Sequence, residues 1–187
     1  MSGDLPFACA CGKVTGTLAG QALKTGTRLT CGCASCRAAV KHLTGQTVGN
    51  VDVYLTSGHL ISYETGFELL ASLNLSPKGS NRIYATCCNS AISVVPQSPR
   101  IGFSSVFVNR LATPEVVGPI KAQVYRTEAD GKRHIGMAKV VREVGKRVVS
   151  DRVSGNWRKS PYFKGAGALV VAKVLIEKDA KTAAFEA

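Results

Sequence analysis

The seven cysteines of this 187-residue chain fall into three tight clusters, and none stands alone. Cys9 and Cys11 form a C-x-C, Cys31, Cys33 and Cys36 form a C-x-C-x-x-C, and Cys87 and Cys88 are adjacent. Thiolates two or three residues apart on a tight turn can point at one ion. A glycine directly after Cys11, and another between Cys31 and Cys33, relieves the backbone crowding of such a knuckle. An odd number of thiols cannot pair completely into disulfides, and a chain of this length can bury a core without covalent staples. The clusters therefore point to metal and sum most simply to four plus three. Cys9 and Cys11 would meet Cys87 and Cys88 to close a four-thiolate zinc site joining distant parts of the chain. Cys31, Cys33 and Cys36 would hold a second zinc ion with one position left, filled by a histidine, by a water, or by something exchangeable. Three thiolates give zinc a net charge of minus one. That weakens it as an acid toward water but still permits exchange of an incoming thiolate, which favours thiol chemistry over hydrolysis.

Adjacent side chains on a regular strand point to opposite faces, so Cys87 and Cys88 reach one ion only if the backbone turns there. Asn89 suits such a turn because Asn tolerates left-handed geometry better than most residues.

Period-two alternation dominates the front two thirds: Val14, Gly16 and Leu18; Val51, Val53 and Leu55; Leu69, Ala71, Leu73 and Leu75; Ile92 and Val94. These read as short strands separated by turn signals at Thr65-Gly66, Ser76 to Gly79 and Pro96 to Pro99. One clear helix is expected over about 132–149, with Met137, Val140, Val141, Val144 and Val148 on one face and Lys139, Arg142, Lys146 and Arg147 crowding the others. The fold expected is a mostly-β, antiparallel, zinc-binding domain over residues 1–118. A basic extension with one helix, 119–187, packs on the same domain.

Lys and Arg number 24 against 12 Asp and Glu, a formal charge of +12, and the surplus is uneven: residues 1–118 carry 9 basic and 5 acidic groups, residues 119–187 carry 15 and 7. Such a balance suits polyanions or small acidic substrates, or simply a solvated surface. The start, MSGDLPFACACGK, lacks the basic residues and apolar core of a signal peptide, and no apolar run is long enough to span a bilayer, so a cytoplasmic protein with no membrane partner is expected. Reduced cysteines fit that compartment.

Several of these features coincide in a familiar order: C-x-C-G-x-V near the start, C-x-C-x-x-C-R some twenty residues on, the turn from Tyr63 to Gly66, and RIYATCCNS at 82–90. Over about residues 7–100 the chain resembles the glutathione-dependent formaldehyde-activating enzyme and centromere protein V family. The resemblance implies a zinc-binding, mostly-β, Mss4-like fold. It implies a structural zinc on Cys9, Cys11 and Cys88, and an active-site zinc on Cys31, Cys33 and Cys36. The activity it implies is addition of an aldehyde to a thiol or, in reverse, a carbon-sulfur lyase reaction. The sequence departs from the family's last C-x-x-C, with Ala85 at the place of the first cysteine, Cys87 directly beside Cys88, and Asn89 where a glycine is usual.

The expected function is thus a zinc-dependent carbon-sulfur lyase or thiol-adduct enzyme acting on a small-molecule thiol. The alternative is a non-catalytic zinc module that binds nucleic acid or an acidic partner through its basic helix. Trp157, Tyr162 and Phe163, interleaved with Arg158, Lys159 and Lys164, would then serve for base stacking. Arg37, directly after the three-cysteine set, would either hold an acidic substrate group or offset the negative cluster. The histidines, His42, His59 and His134, sit in no ligand pair, and His42 is near enough to Cys36 to be considered as a fourth ligand or proton carrier.

Overall fold

The structure is a computed structural model that describes residues 3–126 and 133–175. Its elements, in chain order, are β1 Leu5–Ala8, β2 Thr15–Leu18, α1 Gly20–Thr25, β3 Thr27–Cys31, α2 Ala34–Thr44, β4 Val51–Ser57, β5 Ile61–Thr65, β6 Leu70–Asn74, β7 Asn81–Ala85, β8 Ser90–Val95, β9 Phe103–Phe107, β10 Ala122–Val124, β11 His134–Ile135, α3 Met137–Ser154 and β12 Ala172–Leu175, with short 3₁₀ turns between some of them. The alternating stretches fall on β2, β4, β6 and β8. The protein is mostly β.

Among the described residues the strands form a three-stranded sheet, β1-β2-β5, and an open sheet in the order β11-β10-β3-β4-β9-β8-β7-β6-β12. The larger sheet corrects the expectation of a purely antiparallel fold. Its inner strands are antiparallel, but β10 runs parallel to β3 and β12 runs parallel to β6, so the sheet is mixed. Both parallel strands come from the segment after residue 118, which returns by long connections, and a parallel pair requires such a crossover.

Alternation along β7 shows how the large sheet is covered on both faces. Ile83 belongs to the core shared with Leu5, Phe7, Leu18 and Ile61 of the small sheet. Its neighbour Tyr84 packs instead with Ala38, Ala39 and Leu43 of α2. Phe7 and Tyr54 are almost wholly buried in the first of these cores; side chains of that kind contribute about 1.5–3 kcal/mol each through burial. Tyr54 also spends its polar end well, donating its hydroxyl to the carbonyl of Ala22 at 2.8 Å.

Two features depart from the sequence reading of helices. Helix α2 is additional to the one helix read from the sequence, because cysteines and small residues mask its stripe. Its signals are the buried Ala38, Ala39 and Leu43 at helical spacing, Lys41 and His42 in the last turn, and Gly45 in left-handed geometry (φ 73°) closing it. On α3, Val140 is buried but Val141 is 62% exposed, so Val141 leaves the apolar face. Arg147 moves the other way. It is buried, and its guanidinium donates to the carbonyl of Thr25 and, at 3.1 Å, to the Thr27 hydroxyl. The stem of an arginine covers apolar surface readily, and two acceptors near the β3 terminus satisfy part of its head. Lys139, Arg142 and Lys146 remain exposed.

Candidate metal centres

Cys9 follows β1, and Cys11 lies on the turn that leads into β2. Gly12 takes φ 77° there, a conformation that costs a side-chain-bearing residue about 1–2 kcal/mol. The turn is tied by Cys9 N–H to Val14 O at 2.9 Å, and Val14 N–H donates to Cys9 Sγ at 3.3 Å. Cys87 and Cys88 lie on the β7–β8 turn, where Asn89 is left-handed at φ 53°. The backbone therefore turns at the adjacent pair, and both thiols come to one side. Cys9 Sγ lies 3.5 Å from Cys11 Sγ and 3.9 Å from Cys87 Sγ; Cys11 and Cys87 are 3.3 Å apart, and Cys87 and Cys88 3.9 Å. A tetrahedron with Zn–S bonds near 2.3 Å has edges of about 3.8 Å. All seven cysteines are free thiols. The spacing and the donor type fit a closed four-thiolate metal site.

The thiols of this set are not equivalent. Burial raises Cys88, but the Ser90 hydroxyl at 3.1 Å and backbone N–H groups of Cys11 and Ser90 outweigh it and bring the thiol down to about 6. Burial, helped by the thiols of Cys11, Cys88 and Cys9, pushes Cys87 up to about 12. Ser90 is the organiser: its Oγ also accepts from Ala10 N–H at 3.0 Å, holding the first knuckle against the second.

The second set is built by one local device, a strand that runs into a helix. Cys31 ends β3, Cys33 is the residue before the first turn of α2, and Cys36 lies within that turn. Gly32 is required between them for a reason beyond knuckle geometry. A Cβ at that position would stand 2.4 Å from the carbonyl oxygen of Tyr125, where β10 approaches, and Gly32 N–H donates to Val124 O at 2.9 Å. The three Sγ atoms lie within 4.8 Å of one another, and among the described residues no histidine or carboxylate joins them. His42 is exposed at the other end of α2, and so is not a fourth ligand. His59 lies far along the chain beside Asp151, 3.5 Å away, and burial lowers its pKa. His134 accepts from Tyr125 N–H.

Cys31 and Cys36 donate to Cys33, and together with the Ser35 hydroxyl at 3.4 Å they hold the Cys33 thiol far below its usual range. Cys36 is pushed far above it by the same two neighbouring thiols and by burial. One thiolate shared among three sulfurs at a helix N-terminus is the arrangement that a cation would stabilise. Behind Ser35 stands Arg82 of β7, buried, which donates to Ser35 Oγ and to Ser80 O, each at 2.9 Å. Sequence reasoning missed both residues. The available signal was an arginine inside a short strand, directly before Ile83, and its target in α2 is 47 positions away.

Cys31 and Cys36 also open onto a cavity of about 500 Å³. Its other walls are mostly apolar and come from several strands, among them Leu29 of β3, Val53 of β4, Val94 of β8, Phe103 of β9 and Val124 of β10, with Lys78, Ser80, Gln97, Ser98 and Ser105 as the polar lining. Arg37 is not part of its lining. The aromatics considered for base stacking are committed elsewhere: Trp157, Tyr162 and Phe163 are all buried, with Arg158 set over the Trp157 ring at 4.6 Å.

Fold and site together define a mostly-β protein with two cysteine clusters able to hold metal ions, one of them beside an apolar cavity. The chain belongs to the DUF6151 family, described as a family of unknown function, which matches residues 1–174. A comparison with curated proteins finds no match. No helix among the described residues is long and apolar enough to cross a membrane.

Proposed function

We propose that the protein is a zinc-dependent carbon-sulfur lyase or thiol-adduct enzyme, akin in chemistry and in its Mss4-like architecture to the formaldehyde-activating family that its sequence resembles. The observation that carries this reading is the setting of the three-cysteine set. Three thiols have no fourth protein donor among the described residues, and two of them, Cys31 and Cys36, line a cavity large enough for a small molecule. In this reading Cys9, Cys11, Cys87 and Cys88 hold a structural zinc, and Cys31, Cys33 and Cys36 hold the second. When bound there, zinc supplies a fourth position at which a substrate sulfur is stabilised as thiolate.

The chain's own residues do the rest. Arg82, through Ser35, keeps the sulfur of Cys33 oriented and its charge compensated. The apolar walls exclude water and so strengthen every charge interaction beside the thiols. The reaction that fits is reversible cleavage of a hemithioacetal. The carbon-sulfur bond breaks with its electron pair going to the sulfur, the carbinol O–H becomes a carbonyl, and the proton it releases is taken up by the thiolate when the thiol leaves, with no change of oxidation state. A reducing cytoplasmic setting suits seven free thiols.

The binding-module alternative loses its stacking platform with the burial of Trp157, Tyr162 and Phe163. Cobalt substitution tests the proposal. Titration with small thiols such as mercaptoethanol should alter the spectrum of one cobalt and leave the other unchanged, and Cys33→Ser should abolish the response while the protein stays folded. A cobalt spectrum indifferent to every thiol would refute the enzyme reading.

A further inference from the structure

Resting on the thiol-site reading above, the cavity itself specifies what kind of thiol enters. We propose that the substrate carries an apolar body and at most one anionic group, and that a peptidic thiol such as glutathione is excluded.

The walls are the first ground. Leu29 and Cys31 are two apart on β3, and Val51, Val53 and Leu55 are two apart on β4, so these side chains share one face of the large sheet. The register Leu29 to Val53 and Cys31 to Val51 sets the thiol at one end of a continuous aliphatic surface. Ser105 also lines the cavity, but its hydroxyl is already engaged. It donates to Val94 O at 3.2 Å and accepts from Val94 N–H at 3.3 Å, so it offers a ligand little. Among the described residues that line the cavity, Lys78 is the sole charged one, and it is exposed on the β6–β7 turn. Gln97, another polar lining residue, has its amide nitrogen committed to the carbonyl of Gly79.

Glutathione brings two carboxylates, an ammonium group and two amides. Each polar group moved from water into this cavity without a partner would be penalised, and the charged ones most of all. One cation at the rim can answer one carboxylate. An alkyl or aryl thiol brings no charged group to desolvate and its aldehyde adduct brings a single hydroxyl, and both gain burial along the aliphatic surface. A cavity of about 500 Å³ is in the range that accepts a body of drug-like size.

The test is calorimetric titration of the zinc-loaded full-length protein with a ladder of ω-mercaptoalkanoates from mercaptopropionate to mercaptoundecanoate. Glutathione and sulfur-free octanoate are the controls, and the cobalt form is read in parallel. Affinity should rise up to about fourfold per methylene until the cavity is filled, with glutathione weaker than mercaptopropionate. Leu55→Trp, which narrows the cavity, should end the rise at a shorter chain while the cobalt response to mercaptoethanol persists. Ile101→Glu is a second variant at a position 45% exposed, where misfolding is not a concern. It should weaken the long mercaptoalkanoates several-fold by placing a carboxylate at the cavity lining. Glutathione binding as tightly as mercaptooctanoate, or a flat ladder in the wild type, would overturn the substrate class while a cobalt response to thiols left the lyase reading standing. Octanoate matching mercaptooctanoate, with no thiol altering cobalt, would overturn both.

Discussion

If Cys9, Cys11, Cys87 and Cys88 bind one ion, that ion is a clip between points 78 positions apart in the chain, whereas an ion on Cys31, Cys33 and Cys36 spans only five. A cross-link removes loop-closure entropy from the unfolded ensemble, and the gain grows with the loop closed. The chain-entropy relation gives about 4.5 kcal/mol for the long loop and about 2 kcal/mol for the short one. Cys11→Ser should therefore cost about 2.5 kcal/mol more than Cys33→Ser. For a domain of this size each kcal/mol shifts the melting temperature by about 2–4 °C, so the two variants should melt about 5–10 °C apart. The assay is thermal and urea unfolding followed by circular dichroism, on zinc-loaded protein and again with excess chelator. The gap should vanish in chelator, because neither clip then exists and the serines are nearly isosteric. Equal midpoints in zinc would refute the division into a structural and an exchangeable site. A gap that persists in chelator would show that packing of the thiols, rather than metal, carries the difference.

Asn89→Val should destabilise by about 1–2 kcal/mol, since a β-branched residue is strained at φ 53°, whereas Asn89→Gly should be tolerated; urea midpoints decide. Gly32→Ala puts a methyl 2.4 Å from a backbone oxygen and should loosen β10, seen as faster amide exchange over Ala122–Val124. Arg82→Met keeps the volume but removes the charge behind Ser35, and should weaken metal at the three-cysteine set several-fold while leaving the four-cysteine set unchanged, measured by competition with a chelating dye. Glu143 accepts from the Thr27 hydroxyl at 2.5 Å and is held below the usual carboxylate range by that bond. Its stabilising contribution is then present above the ordinary carboxylate pKa and is lost as pH falls through the lower folded value. Glu143→Gln should therefore be less stable than wild type at neutral pH, by about 1 kcal/mol for a part-buried hydrogen bond, and the two stability curves should converge as the pH falls into the acid range.

The grouping of the cysteines was legible because metal chemistry writes itself as short spacings, and the strands were legible where one side faces a core, as along β4 and β8. What escaped was everything that depends on register between distant strands. The cavity beside Cys31 exists because β3, β4, β9 and β8 lie side by side in that order, and no local pattern in Leu29, Val53 or Val94 announces it. Helix α2 was hidden by its short stripe of Ala38, Ala39 and Leu43, which is apolar enough to pack on Leu73 and Leu75 but too slight to stand out beside three cysteines. Arg147 was read as surface because arginine is seldom buried without partners, and its partners, Thr25 and Thr27, lie some 120 positions earlier.

The two clusters use the same ligand type, and their different settings give a physical reason why one of them can be left open. Cys9 and Cys11 lie on the β1–β2 turn of the small sheet and Cys87 and Cys88 on the β7–β8 turn of the large one, so an ion held between them would fix how the sheets pack over Phe7 and Ile83. Any ligand exchange there would loosen the core. Cys31, Cys33 and Cys36 sit on a strand-to-helix junction whose shape is already set by Gly32 against β10, by the Cys36 N–H to Cys33 O bond at 3.0 Å and by Arg82 on Ser35. With those contacts fixing the junction, exchange at a fourth position beside the thiols would leave the fold undisturbed, next to the apolar cavity that Cys31 and Cys36 line.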